Sequence, residues 1–455
     1  MVQVARILAG ALASAAVLTT STVFAMDDVA YKIYAGSSHA HTIYTASHGE
    51  MLDRKDCAGV RSYGPMRDNP ELEDWSQEPP RGTSSCYAMF VLKGLQYRTP
   101  ERKLKSDWQK YQGRPEQHFS AAKAAGFDWY VTSDHSQEAA FFPLGPNNPQ
   151  WLASKRAAEA SIDRDFVGLA GFEYSENNGP DGTGHFNVIN TSDISNALLA
   201  GVGLAQFYSW LATAKPSGEG PIVVGFNHPR PDDYAGFTGR TEAATEVIAL
   251  IELINSNSRV HYDGFLAALD AGWKVSPTSG LDNHGLTGIP TLKSRAFVLA
   301  AAKTKAALLE GMRKRRTYAS LDSNIQARYS VNGAIMGSTL AQPGVFRFDI
   351  SITDPDSADP RAKITKLDIV SDGGKVVATH GPSTPATTIR WQPTVRDAKA
   401  HYFFVRVWSA GGGDSPKSEA NQPVAWLAPV WTGIPMAAKP MRAPVEADRA
   451  RVKAS

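Results

Sequence analysis

Residues 127–135 read FDWYVTSDH, and this stretch decides the fold. Its first part, Phe127–Thr132, is rich in aromatic and β-branched residues, a composition typical of a β-strand. The strand leads into a carboxylate and an imidazole, Asp134 and His135. The residues just before it, 116–125, have the apolar spacing of an amphipathic helix. A helix that leads into a strand is the repeating unit of α/β proteins.

The same alternation continues from Tyr31 to about Ser320. Further strands are predicted at residues 31–37, 166–174, 185–189, 222–226, 247–254 and 273–277, and further helices at 150–160, 204–214 and 262–271. Strand–helix alternation predicts a parallel α/β architecture. About seven strands favour a distorted (β/α)7 barrel, a relative of the TIM barrel, over a short open sheet. We assign residues 26–324 to this barrel.

The first 25 residues have the features of a secretory signal peptide. Arg6 precedes an apolar run over residues 7–18, and Val23, Phe24 and Ala25 form a cleavage site of small-residue type. A bilayer span takes about 20 residues, so the run favours cleavage after Ala25 over a membrane anchor. We therefore expect a periplasmic or secreted protein without a membrane span.

The segment 50–114 interrupts the alternation and is rich in Pro, Gly, Asp and Arg. It is interpreted either as a lid over the site or as a surface insertion. It contains both cysteines, Cys57 and Cys86. An isolated pair in an oxidising compartment favours a disulfide over two free thiols.

The pattern changes after Ser320. Phe346, Phe348, Ile350 and Ile352 alternate with polar residues, which is the period of a half-buried strand. The chain is therefore predicted to form a small antiparallel, β-sandwich-like domain over residues 325–433. The tail, 434–455, is rich in Ala, Pro, Arg and Lys and is expected to be disordered. A net charge of +2 gives no strong electrostatic footprint, and no nucleic-acid partner is expected.

Histidines and carboxylates gather at the downstream ends of the predicted barrel strands. They are His39, His41, His48, Asp134, His135, Glu173, His185, His228, Asp282 and His284. In α/β barrels the loops at this end converge on one mouth. Imidazole and carboxylate together suit Zn, Mn or Fe. Residues two apart in an extended chain point to the same side, so each pair of that spacing can reach one ion. The sequence predicts two or three divalent ions.

Six motifs, in this order, resemble the polymerase-and-histidinol-phosphatase (PHP) superfamily of metallohydrolases, and most closely its secreted branch of carbaryl-hydrolase-like proteins. The motifs are SHAHT at 38–42, TSDH at 132–135, GFE at 171–173, GHFNV at 184–188, NHP at 227–229 and SGLDNH at 279–284. The resemblance covers residues 31–320. It implies a distorted seven-stranded barrel that holds up to three metal ions.

The resemblance also implies a distribution of ligands. It assigns the first ion to His39, His41, Glu173 and Asp282. Glu173 would bridge to a second ion that is completed by His185 and His228, and His135 and His284 would bind a third. The remaining ligand of the third ion falls by the usual spacing on Ser47, a poor ligand, while His48 lies one residue later. The number of ions therefore stays open.

Two further residues are candidates for catalytic roles. Asp134 would orient His135 or shuttle a proton, unless it caps the local turn. Arg230 follows His228 by two residues and would contact an anionic group of the substrate. Its alternative role is that of a solvated arginine paired with Asp232 or Asp233.

These features predict an exported metal-dependent hydrolase acting on a small-molecule substrate. Two ions about 3.5–4 Å apart would share a water and lower its pKa, giving a bridging hydroxide. Phosphoester hydrolysis is the first choice, because a cluster of ions suits the charge of a phosphoryl transition state. Carboxylic or carbamate ester hydrolysis is the alternative, and a non-catalytic, metal-stabilised binding protein is the third. No G-x-S-x-G elbow in a strand–turn–helix context supports a serine hydrolase.

Overall fold

The fold comes from a computed structural model of the chain. It describes residues 30–45, 113–136, 138–141, 144–175, 184–196, 203–256, 259–341, 344–414 and 422–437, and the backbone of five short strands between residues 52 and 104. The signal region, His48, Cys57 and Cys86 lie outside the described residues. The leader, the disulfide, the lid and the disordered tail therefore stay predictions.

The helices and strands follow in chain order. The helices are α1 (Pro115–Ala124), α2 (Pro149–Ala160), α3 (Leu204–Thr213), α4 (Asp233–Phe237), α5 (Glu242–Val247), α6 (Tyr262–Asp270), α7 (Gly288–Thr291) and α8 (Lys305–Arg313). The strands are β1 (Lys32–Ser37), β2 (Leu52–Asp53), β3 (Gly64–Pro65), β4 (Met89–Leu92), β5 (Leu95–Arg98), β6 (Lys103–Leu104), β7 (Trp129–His135), β8 (Val167–Ser175), β9 (His185–Ile189), β10 (Val223–Asn227), β11 (Ile248–Asn255), β12 (Arg259–Val260), β13 (Ser276–Ser279), β14 (Arg295–Ala300), β15 (Thr317–Ser320), β16 (Gln326–Val331), β17 (Ala334–Ile335), β18 (Gly344–Thr353), β19 (Ile364–Ser371), β20 (Lys375–His380), β21 (Thr388–Trp391), β22 (Thr394–Asp397), β23 (Tyr402–Ser409), β24 (Ala425–Leu427) and β25 (Val430–Trp431). No helix in the described segments is long and apolar enough to cross a membrane.

The strands that carry the site form a mixed sheet. β1, β7 and β8 are parallel neighbours, as are β10, β11 and β13. β9 lies between the two groups and is antiparallel to both β8 and β10. The predicted parallel arrangement was therefore wrong for β9. Nine residues, 176–184, link β8 to β9, which is too few for the crossover of a dozen or more residues that a parallel pair needs.

The two ends of this strand set meet at the site. Ala40 forms a parallel bridge with Asn283, the amide of Ser38 donates to the carbonyl of Ser279 at 3.2 Å, and the amide of Asp282 donates to the carbonyl of His39 at 3.0 Å. Along its length, however, β1 pairs with β14. The structure thus shows a mixed α/β fold around a large central sheet, and the seven-stranded barrel remains a prediction.

The C-terminal part of the chain is built from antiparallel strands. A second, five-stranded sheet contains β16, β17, β18, β21 and β22. Phe346, Phe348, Ile350 and Ile352 are buried on one face of β18, which confirms the predicted alternation. The large sheet also continues here, because β15 pairs with β24 and β24 with β23. The division at residue 324 stays a prediction.

Candidate metal centre

The strand order brings the candidate ligands to one edge of the large sheet. His39 and His41 follow β1, His135 ends β7, Glu173 lies near the end of β8, and His228 follows β10. His185 is the first residue of β9, and because β9 runs antiparallel, its start lies at the same edge. Asp282 and His284 follow β13.

Four ligand atoms form a compact group. The Nε2 atom of His39 lies 3.0 Å from Nε2 of His41, 3.4 Å from Oε2 of Glu173 and 3.5 Å from Oδ1 of Asp282. The Nε2 atom of His41 lies 3.4 Å from the same Glu173 oxygen and 3.0 Å from the same Asp282 oxygen. Ligands at 2.0–2.1 Å around one tetrahedral ion are roughly 3.3–3.4 Å apart. The spacing is therefore that of a single coordination shell.

Glu173 faces two sets of histidines with its two oxygens. Its Oε1 lies 2.8 Å from Nδ1 of His185 and 3.4 Å from Nε2 of His228. Its Oε2 lies 3.1 Å from Nδ1 of His135, besides contacting the His39 and His41 group. The side-chain Nδ2 of Asn227 donates to Oε1 at 2.8 Å and holds the carboxylate in this orientation. Each oxygen of this carboxylate therefore faces its own set of candidate ligands.

Further groups of potential ligand atoms, each within 4.8 Å of one another, surround this core. One contains His41, His135 and His284, and another contains His39, His228 and Glu252. The His41 ring stacks on those of His284 and His135 at centroid distances of 4.2 and 4.6 Å. His135 and His284, the predicted ligands of a third ion, thus lie beside the first group. His48, the other predicted member, lies outside the described residues.

One observation that does not depend on the sequence motifs also indicates that these ligand atoms suit divalent ions. Oε2 of Glu173 is fully buried and accepts no hydrogen bond, although three histidine nitrogens lie within 3.4 Å of it. A buried carboxylate oxygen without a hydrogen bond is costly unless a cation balances it. Nitrogen and oxygen donors in this mixture suit Zn, Mn or Fe.

The closely spaced carboxylates and histidines of the cluster shift one another's pKa values. Burial opposes the charged form of His39, but the carboxylates of Glu173, Asp282 and Glu252 outweigh it and raise the pKa of His39 well above its usual value. Burial likewise opposes ionisation of Glu173 and Asp282, but the neighbouring histidines lower the pKa of each carboxyl well below its ordinary range. Both carboxylates are therefore ionised at neutral pH and available to a cation.

Two residues of the cluster have strained backbones. His228 has φ 31° and Asp282 has φ 46°, and non-glycine residues rarely adopt positive φ. Next to Asp282, the backbone of Gly280 packs too tightly for a side chain. A Cβ at that position would lie 1.8 Å from Oε1 of Glu252 and 2.5 Å from Cβ of His39. Strain of this kind clusters at functional sites, where surrounding contacts maintain it.

Glu252 is the site residue that sequence reasoning missed. Its Oε1 lies 3.1 Å from Nδ1 of His39, and its Oε2 accepts hydrogen bonds from the amide of His228 at 2.9 Å and from Asn255 at 3.1 Å. It lies inside the buried strand β11 and not in a loop motif. A single carboxylate in the apolar run IALIELIN was the signal, because buried strand interiors rarely hold an unpaired charge.

Asp134 contacts the turn after His41. Its carboxylate accepts hydrogen bonds from the amide and hydroxyl of Thr42, at 2.6 and 2.7 Å, and from those of Thr45, at 3.1 and 2.9 Å. The Thr45 hydroxyl also lies 3.3 Å from Nδ1 of His41. The Nδ1 atom of the His135 ring lies 2.8 Å from the Ser175 hydroxyl. The contacts of Asp134 therefore favour the turn-capping interpretation over orientation of His135.

Arg230 lies at the mouth of the cluster. Its side chain is 71% exposed, and its Nη2 is 3.5 Å from Oδ1 of Asp233, which is the pairing that the sequence left open as the alternative. It lines a cavity of about 310 Å³ together with Arg259, His261, His228 and Asp282. The cavity therefore joins two arginines to the metal-ligand cluster. Trp129 and Trp273 are fully buried in the core.

No protein-family profile matches this chain, and no curated protein matches it either. A crystal structure of a two-domain protein from Bacteroides vulgatus, described as containing a predicted PHP-like metal-dependent phosphoesterase, is similar to it. The two are 12% identical with a TM-score of 0.38, and the likeness covers 87% of this chain and 95% of that one. Similarity at this level does not establish a family.

Proposed function

We propose that this protein is an exported, metal-dependent hydrolase of the PHP type that cleaves phosphoesters of small molecules. The observation that carries the proposal is the double-facing Glu173, whose two buried oxygens contact different histidines. A closed structural metal site uses four ligands and leaves no position open. The described cluster offers eight of the nine predicted metal ligands, which is more than one structural ion requires.

The residues of the cluster would have separate roles in binding the ions and in positioning the ligands. His39, His41, Glu173 and Asp282 would hold one ion, and Glu173 would share a second with His185 and His228. Bound divalent ions would polarise the ester and lower the pKa of a bound water. Glu252 would fix the His39 ring, and Asp134 would fix the turn that follows His41.

The substrate preference follows from the adjoining cavity. A volume of about 310 Å³ suits a small molecule. Arg230 and Arg259 line it, and no described carboxylate forms an ion pair with Arg259. A guanidinium offers several donors in one plane, which suits phosphate oxygens. An anionic substrate would therefore place its phosphoryl group between the arginines and the ligand cluster.

A second candidate is hydrolysis of carboxylic or carbamate esters, as in the carbaryl-hydrolase-like branch. The contact between Arg230 and Asp233 favours it, because a neutralised arginine is a weaker clamp for an anion. The same cluster would serve either ester. Export rests on the sequence of residues 1–25 and would be tested by N-terminal sequencing of the mature protein.

Metal content and turnover together test the proposal. Purified mature protein is assayed by elemental analysis and with 4-nitrophenyl phosphate and 4-nitrophenyl acetate. The variants are Glu173→Gln, which removes the bridging charge, and Glu242→Gln, which changes an exposed glutamate on α5. We expect at least two ions per chain in the wild type and in Glu242→Gln, and loss of both ions and turnover in Glu173→Gln.

The relative rates on the two esters decide between phosphoester and carboxylic ester chemistry. One ion or none per chain after reconstitution with Zn, Mn and Fe, with both esters inert, would leave a non-catalytic binding protein. A Glu173→Gln variant that keeps full turnover would overturn the assigned site.

A further inference from the structure

One buried acceptor in the cavity beside the histidine cluster has no hydrogen bond. His261 lines this cavity together with His228, Arg230 and Arg259. Its side chain is largely buried, and so is the Nε2 atom of its ring. Among the described residues that line the cavity, this nitrogen is the one buried side-chain atom without a hydrogen-bond partner. Native proteins satisfy nearly all such atoms, so the cavity indicates a ligand that bonds to it.

The backbone determines which ring nitrogen of His261 accepts. Nδ1 lies 3.2 Å from the carbonyl oxygen of Pro229. A carbonyl oxygen only accepts hydrogen bonds, so Nδ1 carries the proton and donates to it. In the neutral ring the other nitrogen, Nε2, is then an acceptor. Burial lowers the pKa of His261 to about 4 against the opposing charge of Glu252, so the ring is neutral at pH 7.

The other polar side chains of the cavity have different requirements. The side-chain amide of Asn255 donates to Asp282 at 3.1 Å, and its oxygen accepts from the Ser256 hydroxyl at 2.9 Å. The two arginines, Arg230 and Arg259, offer donors to an anion. A ligand that complements this lining therefore combines an anionic group with a hydrogen-bond donor.

We propose that His261 determines substrate specificity, because its Nε2 accepts a hydrogen bond from a hydroxyl group on the alcohol part of the phosphoester. The inference rests on the proposed function, which assigns the phosphoryl group to the arginines and the ligand cluster. The alcohol part would then occupy the rest of the cavity of about 310 Å³, which suits a small hydroxylated ester. Arg230 and Arg259 repel a cationic donor such as an ammonium group, so a neutral hydroxyl fits better.

The size of the preference follows from the buried acceptor. An ester without the hydroxyl would cover Nε2 of His261 and leave it without a donor. A site built to bond a substrate hydroxyl rejects the analogue that lacks it, because the buried polar group is left unpaired. For one neutral hydrogen bond we expect kcat/KM to differ by about 10–100-fold between the two kinds of ester.

Two phosphate esters of the same carbon chain length test this role. Glycerol 1-phosphate carries hydroxyl groups on its alcohol part, and n-propyl phosphate carries none. The value of kcat/KM for each is measured by phosphate release from the metal-loaded, full mature chain.

The variants separate the two ring nitrogens. In His261→Asn the amide nitrogen can replace Nδ1 as the donor to Pro229, but no acceptor remains at the Nε2 position. In His261→Gln the side-chain oxygen can reach that position. His261 is the N-cap of α6, where asparagine is favoured, so the helix should stay folded in His261→Asn. The matched control is His380→Asn, a half-buried histidine on β20.

We expect the wild type and His380→Asn to prefer glycerol 1-phosphate by about 10–100-fold. His261→Gln should keep part of this preference, and in His261→Asn the two values should lie within about threefold of each other. A wild type without the preference, or a His261→Asn variant that keeps all of it, would overturn the proposal. Equal loss in both His261 variants would assign the effect to packing of the ring and would also overturn the role of Nε2.

Binding measurements separate this inference from the proposed function. If the metal-loaded protein hydrolyses neither phosphate ester, the proposed function fails, and isothermal titration calorimetry with the same two compounds then tests His261. Tighter binding of glycerol 1-phosphate that is lost in His261→Asn would support the acceptor role. Equal affinities for the two compounds, or no binding of either, would refute it.

Discussion

Replacing Glu252 by glutamine should weaken metal binding without unfolding the protein. Both oxygens of Glu252 face hydrogen-bond donors, since Oε1 lies 3.1 Å from Nδ1 of His39 and Oε2 accepts from the amide of His228 and from Asn255. A glutamine has one oxygen and one NH₂ group. Whichever way it turns, it places a donor against a donor and leaves either His39 or the His228 backbone without its acceptor.

The magnitude follows from these contacts. A hydrogen bond to a charged group contributes about 1.5–3 kcal/mol. Loss of a residue that orients a metal-binding histidine typically costs 10–100-fold in metal affinity, or about 1.4–2.7 kcal/mol. The two ranges overlap, so we expect the dissociation constant of the metal to rise by 10–100-fold. The metal-free variant should remain folded, because Glu252 contributes one of three carboxylates that repel one another in the cluster.

Competition with a chromogenic chelator measures the affinity, and thermal unfolding of the metal-free proteins measures the fold. Glu242→Gln, on the exposed face of α5, is the matched control. An affinity within threefold of wild type would refute the argument that Glu252 positions His39. Equal losses of stability in the metal-free and metal-loaded variants would show that the residue acts on the fold alone.

Three more outcomes are expected. Gly280→Ala should lower the free energy of unfolding by about 1–3 kcal/mol in urea denaturation, because its Cβ would overlap Glu252, whereas Gly381→Ala, which meets nothing within 4 Å, should be nearly neutral. Asp134→Asn should lower the free energy of unfolding by about 1–3 kcal/mol, since its NH₂ group would face the donors of Thr42 and Thr45. An unchanged urea midpoint would contradict the capping role. When the free metal concentration is a thousand times the dissociation constant, removing the metal should lower the free energy of unfolding by about 4 kcal/mol in calorimetry. An unchanged transition would contradict coupling of the ions to the fold.

The sequence predicted the secondary structure near the site closely. The strand over residues 185–189 has the expected bounds, and α6 differs by one residue at its end. β14 was not predicted, because a short apolar run without flanking ligand residues does not distinguish a strand from a buried helix segment. The direction of β9 was missed as well. Strand direction depends on the length of the connection, and the nine-residue link to β8 could have indicated it.

The candidate site was predictable to the extent that its residues stand in local motifs. Eight predicted metal ligands lie in the described residues, and the structure gathers all of them at one sheet edge. Glu252 and the partners of Asp134 were not predictable in the same way. Asp134 contacts Thr42 and Thr45, which lie 92 and 89 positions away, and Glu252 contacts His39, which lies 213 positions away. Spacing in the sequence carries no information on such contacts.

The strain at His228 and Asp282 explains why residues outside the ligand set matter. Each positive φ costs of order 1–3 kcal/mol and persists only where other contacts hold the backbone. The amide of His228 donates to Glu252, and Asn255 donates to Asp282 and to the same glutamate. Glu252 and Asn255, which both belong to β11, therefore hold the two strained residues in place. The ligands are held in place before any ion arrives, so binding an ion does not require ordering the loops. Substitutions that remove the contacts of Glu252 or Asn255 should therefore weaken metal affinity even where every ligand is intact.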